Sequence, residues 1–434
     1  MPDLPADPLL DELQWRGLVA QVADGERLAE LLRPGGARVY CGFDPTAASL
    51  HAGSLVPLLG LARFQRCGHR PIAVVGGGTG LIGDPSGRDS ERRLSDDQTV
   101  TAWVDRIRPQ LERFLDFEQG ALLVDNHSWL GDLSAIELLR DVGKHFPLGW
   151  MLGKESVRSR MDGEGISYTE FSYMVLQAYD FLHLSRSHDC LIQIGGSDQF
   201  GNITAGIELI RRVDGGDAAG LTCPLITNAS GQKFGKTVEG AIWLDPDLTS
   251  PYAFYQYWVN CDDRDVSAYL RTLTFLDRER IEQLDERVAT RPERREAQRE
   301  LAVAMTELVH GPEECARAVE VTEALFGSGP LAALDPARLE RALESAPTVR
   351  LDPATESPTF AALLVDTGLA RSGSDAGRLV AGGGVSVNDR KLEDAQQRPG
   401  ADDFLGGRVL VLRRGRRNHG LVVRDGSGLT PTGG

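Results

Sequence analysis

The residues able to do chemistry fall into separate clusters along the chain. Lys233, Lys236 and Thr237 stand in Gln232-Lys-Phe-Gly-Lys-Thr237, two lysines and a hydroxyl on a glycine-bearing loop. Such a loop suits a polyphosphate that arrives and leaves, because the charges can close on it and withdraw. Thr46 and His51 lie just beyond the apolar run 39–43, where a strand hands over to a helix. Free backbone N–H groups and the helix dipole favour an anion there, the alternative being an ordinary strand–helix turn with one satisfied histidine. Tyr173, Gln177 and Asp180 are spaced i, i+4 and i+7, so one helix face would carry a phenol, an amide and a carboxylate. Apolar residues around them leave little of that helix for water, which points to the wall of a polar ligand site. Asp198 and Gln199 follow Gly195-Gly196 after another apolar run, and Asp198 could accept from a ribose hydroxyl or simply favour the helix dipole. The glycine-rich segment 76–87 holds Asp84, with Arg88 and Arg92 beyond it as phosphate partners or, with Asp89 and Glu91, as a solvated charge cluster. Its glycines would let backbone lie against a ligand, with Asp84 as a charged contact.

These clusters need a frame, and the apolar periodicity supplies one. Strands are expected at 38–43, 71–75, 121–124, 190–194 and 221–227. Helices are expected at 9–32, 49–67, 98–115, from Ser134 to about 145, from Ser167 to about 184, and from Ser197 to about 213. Ser134-x-x-Glu137 and Ser167-x-x-Glu170 read as capping boxes. Alternating strands and helices imply an α/β fold with a parallel sheet. The expected divisions are 1–226, 227–326 (the lysine loop and a helical domain), 327–357 (a linker with a short helix), 358–425 (a small domain that starts helical and ends in short strands) and the tail 426–434.

Two nucleotide motifs are set aside. Gly78-x-Gly80-x-x-Gly83 follows a strand, but Asp84-Pro85-Ser86-Gly87 stands where a helix should continue. The lysine loop ends like a phosphate-binding loop, yet Ser230 stands where that motif needs glycine and no helix follows Thr237.

The 434 residues carry a formal charge of −16, which excludes a surface that coats nucleic acid throughout. Residues 358–434 have eleven Lys/Arg against eight Asp/Glu, leaving −19 on the rest. A basic tail domain, with Arg413, Arg414, Arg416 and Arg417 together, reads as one polyanion-binding module. None of the six cysteines is paired at C-x-x-C spacing, so no structural zinc is expected, and a reducing, cytoplasmic setting is. No apolar run is long enough to span a membrane.

Taken together the chain resembles the bacterial tyrosyl-tRNA synthetases, class I enzymes, which implies a Rossmann-like parallel-sheet catalytic domain with a helical insertion over 1–226 and a small α+β RNA-binding domain over 358–425. The resemblance rests on Tyr40-Cys-Gly-Phe-Asp-Pro-Thr46 with His51-Ala-Gly-Ser54, on Gly195-Gly-Ser-Asp-Gln199, and on Lys233-Phe-Gly-Lys-Thr237, in that order. It implies that Tyr40 and Asp180 meet the phenol of L-tyrosine, and that Tyr173, Asp84 and Gln177 hold its ammonium. It implies an ATP site from Cys41, Gly42, Asp44, Gly53, Ser54, Gly195, Asp198, Gln199 and Lys236. Thr46, His51, Lys233, Lys236, Thr237, Arg88 and Arg92 would stabilise the leaving pyrophosphate. Mg²⁺ would arrive mainly through ATP, with no metal held by the protein and no permanent cofactor. Arg211 and Arg212 would guide the tRNA acceptor stem, and the tail domain a more distant part. A homodimer interface is implied around residues 144–168, with no DNA or membrane partner. Ser54 departs from the family's histidine or asparagine, and Gly373 and Gly377 stand where basic residues are usual. The alternatives are the sister tryptophanyl enzyme, whose indole would strand Tyr40 and Asp180, and a catalytically silent RNA-binding relative, against which the intact lysine loop argues.

Overall fold

The computed structural model describes residues 4–86, 94–161, 163, 165–231, 234–237, 240–326, 330–344, 346–352, 356–415 and 418–424, with the side chains of 155–156 and 236–237 outside the description. The chain divides into two units, residues 1–249 with 258–309, and residues 250–257 with 310–434.

The first unit is built on a six-stranded sheet of order β1-β6-β5-β2-β3-β4. Its strands are β1 Gln21–Ala23, β2 Arg38–Phe43, β3 Arg70–Val75, β4 Leu122–Asp125, β5 Cys190–Gly196 and β6 Ala219–Cys223. β1 runs antiparallel to β6, and the other pairings are parallel. Parallel strands are covered on both faces, which explains why β3 is apolar from Pro71 to Val75 without alternation. Four helices position the site: α1 Leu55–Arg66, α2 Asp97–Glu112, α3 Tyr168–His188 and α4 Phe200–Asp214. Met174, Ala178 and Phe181 of α3 pack with Tyr40 and Ile72 of the sheet and with Ala205 and Leu209 of α4. Successive strands β2, β3 and β4 step outward one way, and β5 and β6 then lie on the other side of β2. The carboxyl ends of β2 and β5 therefore flank a topological switch point, where open α/β sheets bind ligands.

Local chemistry shifts several expected boundaries. The helix expected from residue 49 begins at Leu55, after a tight turn at Ala52–Ser54. Residue His51 is extended instead, with φ −113° and ψ 169°, because it bridges to Trp243. Ser134 and Glu137 form the full reciprocal capping box, but the α-turn at Ala135–Glu137 passes into a wider π turn at Leu138–Val142. Ser167 caps α3, while Glu170 turns inward to Arg160 rather than back to Ser167. Ser197 makes no side-chain cap; a short turn at Ser197–Gln199 precedes α4. Beyond β6, the hairpin β7 Lys236–Thr237 and β8 Gly240–Ala241 leads to helices that include Asp263–Leu273, Arg278–Thr290 and Glu296–His310.

The second unit holds a five-stranded sheet of order β11-β10-β12-β13-β9. Its strands are β9 Thr348–Leu351, β10 Val385–Val387, β11 Arg390–Lys391, β12 Val409–Arg414 and β13 Asn418–Arg424. Alternation is strict. Leu410, Leu412 and Val422 pack against Phe360, Leu363 and Leu364 of the helix Phe360–Asp366, while Val409, Val411, Leu421 and Val423 pack against Val321, Leu325 and Leu339. This overturns the linker expected at 327–357. Its helix Pro336–Ala342 is in that core, and β9 pairs parallel with β13. The Pro, Ala and acidic composition hid the few apolar residues, Leu331, Leu339 and Leu351, that fix it.

Candidate active site

The carboxyl ends of β2, β3, β4 and β5 each deliver polar side chains to one place. Asp44 leaves β2 and accepts hydrogen bonds from Thr79 Oγ1 and Tyr173 OH, both at 2.7 Å. A Cβ on Gly76 would stand 2.0 Å from Asp44 Oδ1, and one on Gly77 would stand 2.3 Å from Asp125 Oδ1. These two glycines thus make room for the chain's own carboxylates rather than for a ligand, a refinement of what the sequence suggested. Asn126, at the end of β4, links the loops: its Nδ2 donates to Thr79 Oγ1 and to Asp180 Oδ2, each at 2.9 Å.

Asp180 is buried by α3, and its other oxygen accepts from Trp129 Nε1 at 2.7 Å. Burial pushes its carboxyl up to about 7, against the opposing pull of the Asn126 and Trp129 hydrogen bonds. The Tyr40 phenol lies within electrostatic reach of Asp180 and is 1% exposed. Its hydroxyl has no hydrogen-bond partner among the described residues. Burial, and then the Asp180 charge, hold that phenol protonated. A buried hydroxyl left unpaired costs stability unless something else completes it. An incoming hydroxyl between Tyr40 and Asp180 would do so.

The remaining polar stripe is pre-organised. Gln177 accepts from Asn202 Nδ2 at 3.0 Å, and Gln199 Nε2 donates to Asp84 Oδ2 at 2.5 Å. Tyr173, Gln177 and Asp180 thus share one wall, as their spacing predicts, with Asp84 and Gln199 brought to it from β3 and β5. Asn126, Trp129, Thr79 and Asn202 escaped the sequence reading. Only Asn126 had a legible signal, a polar residue directly after an apolar strand.

On the other side of β2, Cys41 is buried near Asp198, its Sγ 3.7 Å from the Gly42 carbonyl. Gly42 is open: among the described residues nothing lies within 4 Å of where a Cβ would be. Thr46 is exposed and His51 half-buried. A Cβ on Gly53 would meet the His51 ring at 2.7 Å, and one on Gly195 would press Gln199 at 3.1 Å. Ser54 makes no capping bond to α1. The lysine loop reaches the same place, since Gly235, at φ +78°, lies against Ala52 and the Gly53 backbone N. Phe234 is buried against Trp258 and Tyr269, with ring centroids 5.7 and 5.0 Å away. Lys233, Arg88 and Arg92 lie outside the described residues, as do the side chains of Lys236 and Thr237.

The basic residues are less free than the sequence implies. Arg211 and Arg212 both pair with Glu208, at 2.8 and 2.5 Å, and Arg211 leads in holding that carboxyl down at about 2. Arg212 also donates to the His145 carbonyl at 2.6 Å. In the second unit Arg413 donates to Leu325 O at 2.8 Å and Arg414 to Leu369 O at 2.9 Å. Arg416 and Arg417 lie outside the described residues.

Known proteins share this arrangement of sequence and fold. A family model described as class I tRNA synthetases (W and Y) matches residues 34–327, and one described as the tyrosine–tRNA ligase SYY-like C-terminal domain matches 338–422. Among curated relatives, the tyrosine–tRNA ligase of Thermobifida fusca is 52% identical over 428 residues, covering 96% of this chain and 99% of the relative. That of Nocardia farcinica is 54% identical over 429 residues, with the same coverage. Among solved structures, a C-terminally truncated Aspergillus nidulans mitochondrial tyrosyl-tRNA synthetase is 30% identical with a TM-score of 0.66, covering 73% of this chain and 94% of that one. A tryptophanyl-tRNA synthetase from Encephalitozoon cuniculi shares the fold at 13% identity and a TM-score of 0.53, covering 71% of this chain and 87% of that one.

Proposed function

This chain belongs to the tyrosine–tRNA ligases of class I, and from that premise we propose how its residues divide the work of activating tyrosine and charging tRNA. The tyrosine carboxylate attacks the α-phosphate of ATP in line, the bond to the β-phosphate oxygen breaks, and pyrophosphate leaves with the electron pair. A ribose hydroxyl at the 3′ end of the tRNA then attacks the tyrosyl-adenylate, and AMP leaves. No covalent bond to the enzyme is needed, so catalysis comes from positioning and from charge stabilisation.

The observation that carries this reading is the buried Tyr40 hydroxyl, which has no hydrogen-bond partner among the described residues and lies within electrostatic reach of the Asp180 carboxylate. The substrate phenol accepts from Tyr40 and donates to Asp180, while Asn126 and Trp129 keep that carboxylate aimed. An indole offers one donor and no acceptor, so it would leave Tyr40 unmet, which favours tyrosine over tryptophan. Asp84, Tyr173 and Gln177 hold the ammonium. Cys41, Gly42, Asp44, Gly53, Ser54, Gly195, Asp198 and Gln199 form the nucleoside side. Thr46, His51, Lys233, Lys236, Thr237, Arg88 and Arg92 neutralise the pyrophosphate, and Mg²⁺ enters as part of the ATP substrate.

Arg211 and Arg212 serve the acceptor stem by exchanging Glu208 for phosphate, and Arg413, Arg414, Arg416 and Arg417 serve the tail domain's RNA contact. The enzyme works in the cytoplasm as a homodimer. Support for the dimer is the exposure of large apolar side chains in the stretch 144–168, where Leu148 and Tyr168 are 66% and 72% exposed. Pyrophosphate exchange into ATP, run with each amino acid in turn, tests the function. Exchange driven by tyrosine alone is expected; exchange driven equally by tryptophan, or by no amino acid, would overturn it.

A further inference from the structure

The backbone around His51 is tied to the lysine loop, and a buried amide outside every motif holds the tie. Ala52 N donates to Ile242 O at 2.8 Å, and Leu244 N donates to Leu50 O at 2.9 Å. These bonds make an antiparallel bridge between His51 and Trp243. Ile242 N in turn donates to Gly235 O at 2.9 Å, at the root of the β7–β8 hairpin. A strap of backbone therefore runs from His51 to the loop that carries Lys236. Both ends serve the same phosphates in the function proposed above, on which this inference rests.

Neither end of this strap belongs to a long helix or sheet, so something else must fix it. Leu50 N donates to Gln110 Oε1 at 2.9 Å, and Ser49 Oγ lies 3.2 Å from the same oxygen. Gln110 is 9% exposed, in the last turn of α2. Ser49 Oγ also accepts from Asp245 N at 3.1 Å, and Thr249 Oγ1 accepts from Trp243 N at 3.0 Å. Arg106, one turn earlier on α2, reaches Asp245 at 2.9 Å. Helix α2 thus grips both strands of the strap, Leu50 through Gln110 and Asp245 through Arg106.

We propose that Gln110 is a positioning residue for the activation step, fixing the strap that sets His51 against the lysine loop. It touches no reactant. Losing its carbonyl leaves the buried Leu50 N–H unmet, and that N–H can be met again only by moving the segment. A shift of about 1 Å in groups aimed at a transition state lowers the rate far more than it weakens ground-state binding. The residues given above to tyrosine (Tyr40, Asp84, Tyr173, Gln177 and Asp180) are not the ones Gln110 bonds, which are Ser49 and Leu50, so tyrosine binding should not sense the change.

The test compares Gln110→Met, which keeps the length and removes the acceptor, with Gln110→Glu, which keeps an acceptor oxygen. Tyrosine affinity is measured by equilibrium dialysis, and activation by single-turnover formation of tyrosyl-adenylate across a range of ATP. The methionine variant should activate roughly tenfold more slowly, or require correspondingly more ATP, with tyrosine affinity within about twofold. The glutamate variant should recover most of the lost rate. Thr249→Val loosens the same strap from its other strand and should show the same split even if Gln110→Met fails to fold. Normal activation by the methionine variant, equal loss of tyrosine binding and activation, or no rescue by glutamate would overturn the proposal. His51→Ala separates the two levels: if it activates normally, the role given to His51 fails; if it is impaired while both strap variants are normal, only the strap fails.

Discussion

Trp129 donates its indole N–H to Asp180 across 2.7 Å, and the ring stacks on His183 with centroids 4.4 Å apart and planes 12° from parallel. The Asp180 carboxylate, within electrostatic reach of the Tyr40 phenol, is therefore oriented before any ligand arrives. One oxygen is held by Trp129 and the other by Asn126, which leaves the remaining lone pairs as the place for a donor.

That arrangement sets a pH dependence. The folded Asp180 carboxyl titrates at about 7, against about 3.9 for a free one, so the native state holds an extra proton between these values. Asp180 thus costs the fold stability as pH rises through that window. Tyrosine binding changes the opposite way, because only the ionised carboxylate accepts the phenol proton fully. Tyrosine affinity should fall by up to about tenfold per pH unit below 7. Asp180→Asn should bind tyrosine weakly and without that slope. Calorimetric titration at several pH values checks both, and a parallel slope in the variant would place the titrating group elsewhere.

The lysine loop should act on rate. Lys233→Ala and Lys236→Ala should each lower single-turnover activation by about a hundredfold, with tyrosine affinity nearly unchanged, because the charge they meet grows only in the transition state. Loss of tyrosine binding with an unchanged activation rate constant would contradict that assignment.

Within the stretch 144–170 lies a buried ion pair on which stability should depend. Arg160 Nη1 donates to Glu170 Oε1 at 3.1 Å, its Nη2 lies 2.9 Å from Oε2, and both side chains are almost fully buried. Removing one partner strands the other charge, so Glu170→Ala should cost about 3–5 kcal/mol in chemical denaturation. A cost below about 1 kcal/mol would mean that water reaches Arg160 easily.

Transfer to tRNA should depend on the tail domain's charges. Cutting at Leu351 is a poor test, since it keeps β9 but removes its partner β13 and bares Val321 and Leu325. Replacing Arg416 and Arg417 with alanine is cleaner. Aminoacylation should weaken while tyrosine-dependent exchange persists. The salt dependence of tRNA binding should flatten by about one unit of log–log slope for each phosphate that is no longer neutralised. Unchanged aminoacylation at every salt concentration would remove these arginines from the tRNA interface.

Much of this was legible in the chain. Tyr173, Gln177 and Asp180 announced a shared face by spacing alone, and the apolar runs before Asp44, Gly76 and Gly195 located the strand ends that carry the site. What stayed hidden depends on pairings between distant segments. Nothing local to Gly76 says that Asp44 occupies the space its side chain would need. Asn126 and Gln110 read as ordinary polar residues until the fold gives their amides buried partners. His51 likewise looked helical because its extended backbone is set by Trp243, far along the chain.

The central claim is that a hydroxyl completes the gap between Tyr40 and Asp180. The direct measurement is the ratio of kcat/KM for tyrosine over phenylalanine in pyrophosphate exchange, for the native enzyme and for Tyr40→Phe. Removing one neutral partner of the phenol is worth about 0.5–1.5 kcal/mol. Tyr40→Phe should therefore lower that ratio roughly twofold to tenfold, through a loss on tyrosine and little change on phenylalanine. An unchanged ratio, or equal losses on both amino acids, would contradict the account.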